Sequence, residues 1–428
     1  MKRLRLRGGR VVDPSQDLDA SVDVWIEEGK IASIDADPDW VPDETVDASG
    51  LLIVPGLIDM HVHLREPGYE ADETIASGTR AAVESGFTSL ACMPDGDPAV
   101  DNQASAEFVT LQAHRAGFCH VWPVGAVTKG RSGQELSEMG GLVDGGAVAL
   151  SDSDRPVANA EIMRRALQYA QMFDTAILSH AEVSELTRAG VMNEGFISMK
   201  LGMVGMPAAA EEIHVDRDIH LAQLTGGRVH FQSLSCAGSV ASLRRAKEAG
   251  LRVTGEVNPH HLALTEEALT SFDSVYKVNP PLRTGEDVAA LIEGLRDGTI
   301  DVLASGHSPR ATEQKMRELD LAPFGVIGIE SLLPVAVKTL IEPGHLDWSA
   351  LVQCLSVNPA RILGIDRGTL RPGSVADVTL LDPEERWVLD PSKFHSLSRN
   401  CPFAGWAVRG RARYVVVQGG LFRCSPRD

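Results

Sequence analysis

The sequence predicts an α/β protein: a (β/α)8 TIM-like barrel with a small β-sandwich domain formed by both chain ends. Three observations predict it. Eight short apolar runs recur between residues 57 and 304, amphipathic helical stretches lie between several of them, and β-rich runs without helical period stand before and after. Strands that alternate with helices pair in parallel, and eight such units over about 300 residues match a closed barrel.

The N-terminal β-rich runs are 4–12, 22–26 and 31–34, separated by Asp-Pro-Ser, Glu-Glu-Gly-Lys and Asp-Pro-Asp turns. The barrel strands are expected at 57–63, 87–93, 118–124, 147–150, 175–178, 229–234, 251–257 and 300–304. Helices are expected at 74–85, stopped by Gly86, and at 160–173, 239–249 and 287–295, where apolar residues recur at helical spacing. After 358–364 the β-rich style returns at 374–381, 386–389 and 414–417. The two ends look alike, so 1–56 with 366–428 are expected to form the small domain and 57–365 the barrel. Stretches 128–141 and 306–325 show neither pattern and are long enough to be functional loops.

Composition narrows the partners. With 428 residues, 43% of them hydrophobic, the chain has a large core to bury. A net charge of −19 argues against nucleic acid and against an anionic membrane, since both would be repelled. No run approaches the roughly 18 apolar residues of a membrane span, and the basic and apolar residues alternating at the N-terminus read as a first strand, not a targeting segment. Cysteines 92, 119, 236, 354, 401 and 424 form no Cys-x-x-Cys pair, which suits a reducing, cytoplasmic setting.

In such a barrel chemistry gathers at the C-terminal strand ends. The first strand ends in His61 and His63, two apart and therefore on one side of the strand. The pair alone equally describes an ordinary strand with two half-buried histidines. Its setting tells more: Asp59 precedes it, Arg65 follows, and Glu66-Pro67-Gly68 turn the chain away. Later strand ends supply Asp95, Asp152 with Asp154, His180, Ser233, His260 with His261, and Gly306 to Arg310. Alone, Asp152 reads equally as a loop cap and His180 as a satisfied core histidine. Together, His61, His63, Asp152 and His180 make a metal-ligand set with zinc as default occupant, manganese and iron remaining open.

Six stretches then carry a resemblance. His61-Val-His-Leu-Arg-Glu-Pro-Gly68, Ser151-Asp152, Glu256-Val-Asn-Pro-His-His-Leu-Ala-Leu-Thr-Glu266, Lys277-Val-Asn-Pro-Pro-Leu-Arg283, Ala322-Pro-Phe-Gly325 and Asn400-Cys-Pro-Phe-Ala-Gly405 resemble dihydroorotases of the metal-dependent amidohydrolase superfamily, in order and over essentially the whole chain. The resemblance implies a cyclic amidohydrolase of pyrimidine synthesis that interconverts N-carbamoyl-aspartate and dihydroorotate. It makes His61 and His63 ligands of a first metal, Asp152 a bridge, and His180 a ligand of a second. Arg65 and Asn279 would hold the substrate carboxylate, with the backbone at Phe324 and Gly325 facing the ring. Lys200 is expected to be an ordinary surface or loop lysine. A homodimer is common for the family, which also contains inactive chains that assemble with aspartate transcarbamoylase.

The chain departs from that pattern at four places. Ser233 stands where the sixth strand carries a histidine ligand, and Gly306 where the eighth carries the aspartate that is both ligand and general base. Asp95 replaces a substrate-binding asparagine, and Arg310 a histidine; the aspartate would repel an anion and the arginine would attract one. What is left implies one zinc ion rather than two, or a site without metal. Losing a positioned base costs on the order of 10²- to 10⁴-fold in rate. His260, His261, His307 and Asp154 are the candidates to replace it. Three readings follow: a slow dihydroorotase with an altered metal site, a catalytically dead subunit that holds aspartate transcarbamoylase, or an enzyme for a changed cyclic amide or imide re-read by Asp95 and Arg310.

Overall fold

The computed structural model describes residues 3–425. Eight strands, Leu57–Val62, Phe87–Cys92, His120–Gly125, Ala149–Leu150, Ala176–His180, Val229–Gln232, Val253–Val257 and Val302–Leu303, lie side by side in chain order. All their pairings are parallel. The ring closes where the His63 N–H donates to the His307 carbonyl at 2.9 Å and Val62 pairs with His307. The eight apolar runs expected from the sequence are these strands.

Helices start where the sequence offers caps. Thr74, Asn102 and Thr284 each accept from the backbone N–H three residues on, and Ser77, Ser105 and Asp287 bond back, opening helices Ile75–Val83, Gln103–Ala116 and Gly285–Arg296. Helices Ala160–Ala170 and Ala237–Glu248 cover further strands. Ile75, Ala82, Met163 and Leu243 from these helices pack with Leu57, Phe87, Ile177 and Phe231 from the strands in one apolar layer. Ile58, Met60, Ala91, Val124, Leu178 and Ala304 fill the barrel interior, together with Ile362 and Leu363 from helix Asn358–Leu363.

A register irregularity in the first strand sets where its side chains point. Ile58 and Met60 belong to the inner cluster, yet Val62 and Leu64 belong to the outer layer, so the alternation slips between Asp59 and Val62, where the pairing with Phe87–Cys92 shifts. A bulge of this kind re-aims the residues beyond it. His61 and His63 consequently face the interior at the mouth of the barrel.

Both chain ends build the second sheet. Strands Leu4–Asp13, Leu18–Glu27, Lys30–Ile34, Glu44–Asp47 and Leu52–Pro55 join Val378–Val388, Ala407–Val417 and Gly420–Arg423 in one eight-stranded sheet, with Leu52–Pro55 pairing antiparallel to Val378–Val388. The expected runs 374–381 and 386–389 belong largely to a single strand, because a shift between Asp382 and Arg386 bends it without ending it. Glu44–Asp47, Leu52–Pro55 and Gly420–Arg423 escaped the sequence reading, each being four residues long, too short to display alternation. No described helix is long and apolar enough to cross a membrane.

The chain passes from this sheet into the barrel at Gly56. A Cβ there would lie 2.2 Å from Thr88 Oγ1, so the close approach requires glycine. Thr379, fully buried, fastens the same junction: its hydroxyl donates to the Gly86 carbonyl at 2.6 Å and accepts from the Leu57 N–H at 3.4 Å. The nearly isosteric Thr379→Val leaves both groups unpaired and is expected to cost about 1–3 kcal/mol, read as a lower urea midpoint with unchanged slope. An unchanged midpoint would show that the two bonds contribute nothing.

Candidate active site

A cavity of about 320 Å³ opens at the C-terminal ends of the strands. His61, His63, His180, Asn279, Arg310, Phe324 and Gly325 line it, as do Ser233 and Gly306. Asp152, Arg65 and Asp95 do not. The 306–325 stretch supplies much of one wall, and 128–138 carries Thr128 and Arg131.

Four of the lining side chains, His61, His63, His180 and Asn279, are each held by a carboxylate of the chain itself. His61 Nδ1 lies 2.5 Å from Glu256 Oε1, and the other oxygen of Glu256 lies 3.1 Å from His230 Nε2. Burial opposes ionisation of Glu256, but the charges and bonds of His61 and His230 overrule it and hold the acid near 2. His63 Nδ1 lies 2.8 Å from Asp95 Oδ2, which also accepts from Arg65 at 2.5 Å. Burial again opposes, and His63 with Arg65 pulls Asp95 well below the usual carboxylate range. His63 itself is pushed down to about 4, chiefly by burial, against the pull of Asp95. His180 Nε2 lies 3.3 Å from Glu182 Oε2, which also accepts from Asn279 Nδ2 at 2.7 Å.

Two imidazoles with Nδ1 anchored to carboxylates keep Nε2 for the cavity, the usual outer support of a metal-binding histidine. The remaining donors do not complete a site. Both oxygens of Asp152 accept from Thr128, from its N–H at 3.0 Å and from its hydroxyl at 2.5 Å. Burial raises the Asp152 acid, with those bonds opposing. Asp152 is therefore a cap of the 128–138 loop, which Arg131 joins by donating to the Asp152 carbonyl. Ser233 offers only a hydroxyl, 3.4 Å from His61 Nδ1, and Gly306 offers no side chain. Among the described residues no three His, Cys, Asp or Glu side chains are grouped so as to hold a metal ion. Of the expected ligand set, His61, His63 and His180 line one cavity and Asp152 does not, so the donors as placed do not enclose a metal ion.

At the eighth strand end the chain packs closely around Gly306. Gly306 has φ +59°, and a Cβ there would lie 2.9 Å from the Asn258 amide, which donates to the Ala304 carbonyl at 2.9 Å. Among the candidate replacement groups, His260 lines the cavity but is driven well below its usual range by burial and by His261. Asp154 also lines it and is bound by Arg131. His261 bonds the Pro280 carbonyl, and neither it nor His307 is a lining residue.

The strap that carries Phe324 and Gly325 is pinned through main-chain carbonyls. Arg310 Nε donates to Phe324 O at 3.1 Å, Lys315 Nζ to Pro323 O at 3.0 Å, and Lys277 Nζ to Leu319 O at 2.7 Å. Asn400 bonds the carbonyls of Ser308 and Gly325 and ties the strap to the strand end. The residues that sequence reasoning missed are Glu256, Glu182, Asn258 and Thr128. A glutamate inside the apolar strand Val253–Val257 was the available signal, because acids seldom enter such strands unpaired. Lys200 is exposed, as expected.

A parallel barrel with imidazoles at its strand ends and a β sheet from both termini is the architecture of cyclic amidohydrolases. The solved L-hydantoinase (dihydropyrimidinase) of Arthrobacter aurescens superposes with a TM-score of 0.88 at 25% identity, covering 98% of this chain and 96% of that one. A family model described as dihydro-orotase-like matches residues 50–238. The dihydroorotase of Pelotomaculum thermopropionicum is 50% identical over 417 residues, 97% of each chain, and that of Geobacter sp. strain M21 is 46% identical over 419 residues, 97% of this chain and 98% of the relative. The chain belongs to the dihydroorotase family.

Lys315 pins the strap from behind the cavity lining. Burial, then Arg310 and Lys277, bring its ammonium from the usual 10.5 down to about 7. Between those values the folded chain holds fewer protons than the unfolded one, so stability rises with pH across that window, and the cost of the buried charge is fully present below it. Lys315→Met carries no such cost. Its stability margin over the unmodified chain, from urea denaturation, is expected to shrink between pH 7 and 9; a pH-independent margin would contradict this.

Proposed function

We propose that the chain presents a dihydroorotase-type pocket for N-carbamoyl-aspartate and dihydroorotate in pyrimidine synthesis, with turnover weakened by the loss of its metal and base set. Residues 57–365 carry the pocket and 1–56 with 366–428 the supporting β domain. The observation that carries this reading is the convergence of His61, His63, His180, Asn279, Arg310, Phe324 and Gly325 on one cavity.

The chain's residues can bind and orient a ring. Asn279 presents an amide held by Glu182, Phe324 and Gly325 face the cavity from the strap, and Ser308 with Arg310 supplies polar donors. What is lacking is a group to take the proton from attacking water, since Gly306 has no side chain. The donors as placed do not enclose a zinc ion. A second reading is a non-catalytic subunit that assembles with aspartate transcarbamoylase.

The deciding assay is dihydroorotate hydrolysis by the purified chain with added zinc, beside Ser233→His/Gly306→Asp. The unmodified chain is expected to run roughly 10²- to 10⁴-fold below an intact family member. Turnover equal to such a member would refute the weakening, and none in either chain would favour the subunit reading.

A further inference from the structure

Between the fifth strand and helix Ala209–Thr225 the chain makes an excursion, 184–206, on the mouth side of the barrel. It is a firmly built piece. Met192–Asn193 pairs in parallel with Gly205–Met206, Arg283 donates to Asn193 Oδ1 at 2.8 Å and to Met206 O at 2.7 Å, and Asn193 Nδ2 donates to Glu266 at 2.6 Å. Ile197, Leu201 and Met203 pack against Val191, Met192, Leu269 and Leu319 underneath.

Helix Phe196–Leu201, carried on this platform, reverses the usual arrangement of a surface helix. At about 100° per residue, Ile197, Ser198 and Leu201 share the inward face and Phe196, Met199 and Lys200 the outward one. Ser198 is buried, whereas Phe196 is 68% and Met199 72% exposed, and Val204 and Leu186 stand out at 55% and 44% from the flanking segments. Phe and Met are enriched at the centres of protein interfaces, and a rigid cluster of them facing water marks a surface that is covered.

The charges of the excursion indicate what covers it. Glu185, Arg188, Glu194 and Lys200, all exposed, sum to zero in a chain of net charge −19. Two copies of so acidic a chain repel each other over most of their surface, and here that repulsion is least. Among the described residues none of the four forms an ion pair within the chain. Glu194 stands just before the helix and Lys200 near its end. A two-fold axis through Phe196 and Met199, with the two helices antiparallel, therefore sets each Glu194 against the partner's Lys200, the self-complementarity that an isologous contact requires. A strongly basic or acidic partner would find no matching excess of charge on this face.

We propose that the excursion is the two-fold interface of a homodimer, with Phe196 and Met199 at its centre and Glu194 paired with the partner's Lys200. Its length is about the 20 to 30 residues that each side of a standard interface contributes. The proposal is independent of whether the barrel turns over substrate.

Sedimentation velocity of the whole chain over the micromolar range tests this. The unmodified chain is expected to run as a dimer, and Phe196→Asp/Met199→Asp to weaken it at least about a hundredfold. Glu194→Lys alone and Lys200→Glu alone each oppose like charges and are expected to weaken the dimer by at least roughly tenfold. The exchanged variant Glu194→Lys/Lys200→Glu rebuilds both pairs and is expected to recover it. The two single variants, mixed, are expected to associate with each other in preference to themselves, because each then meets its complement; misfolding could produce neither recovery nor that preference. A monomeric unmodified chain, or a dimer indifferent to Phe196→Asp/Met199→Asp, would overturn the proposal. An exchanged variant that stays as weak as the single ones, or mixed single variants that show no preference, would overturn the antiparallel pairing of Glu194 with Lys200.

Discussion

Buried carboxylates facing buried histidines decide the form of this site. Glu256 and Asp95 lie in the barrel mouth with essentially no exposure, and each must be matched by a cation or donor, because an uncompensated charge there would cost several kcal/mol. Glu256 meets that demand between His61 and His230; Asp95 meets it between His63 and Arg65. These pairings orient both imidazoles of the first strand. They also consume the arginine that stands beside them.

The rest of the rim follows the same logic. On the strap side Arg310, Lys315 and Lys277 hold main-chain carbonyls. On the opposite side Glu182 gathers His180 and Asn279, and Thr128 takes both oxygens of Asp152. Side chains that in a metal centre would converge on an ion are here satisfied in pairs. Gly306 and Ser233 sit within that arrangement with no ligating side chain to disturb it, and Asn258 lies close against the Gly306 backbone.

Much of the fold was legible because it rests on patterns with long range in sequence. The eight apolar runs, the helical spacing between several of them and the likeness of the two ends gave the barrel and the shared sheet. Short strands such as Leu52–Pro55 were not legible, since four residues carry no period. At the site, the sequence placed His61, His63, His180, Asn279 and Arg310 at strand ends or in loops that meet at the cavity. It could not say that His61 and His63 face inward, because that depends on a bulge between Asp59 and Val62 that no residue type announces. Nor could it reveal that Asp152 turns to Thr128 or that Asp95 occupies Arg65, both choices among partners made only when loops distant in sequence meet.

The most direct measurement is the zinc content of the purified chain after dialysis against a micromolar excess of the metal, by elemental analysis. The account predicts less than one zinc retained per chain, because His61 and His63 find no third ligand at Asp152, Ser233 or Gly306. One or two zinc ions retained per chain would contradict it and would mean that a further ligand, such as Asp152 leaving Thr128, completes a metal centre.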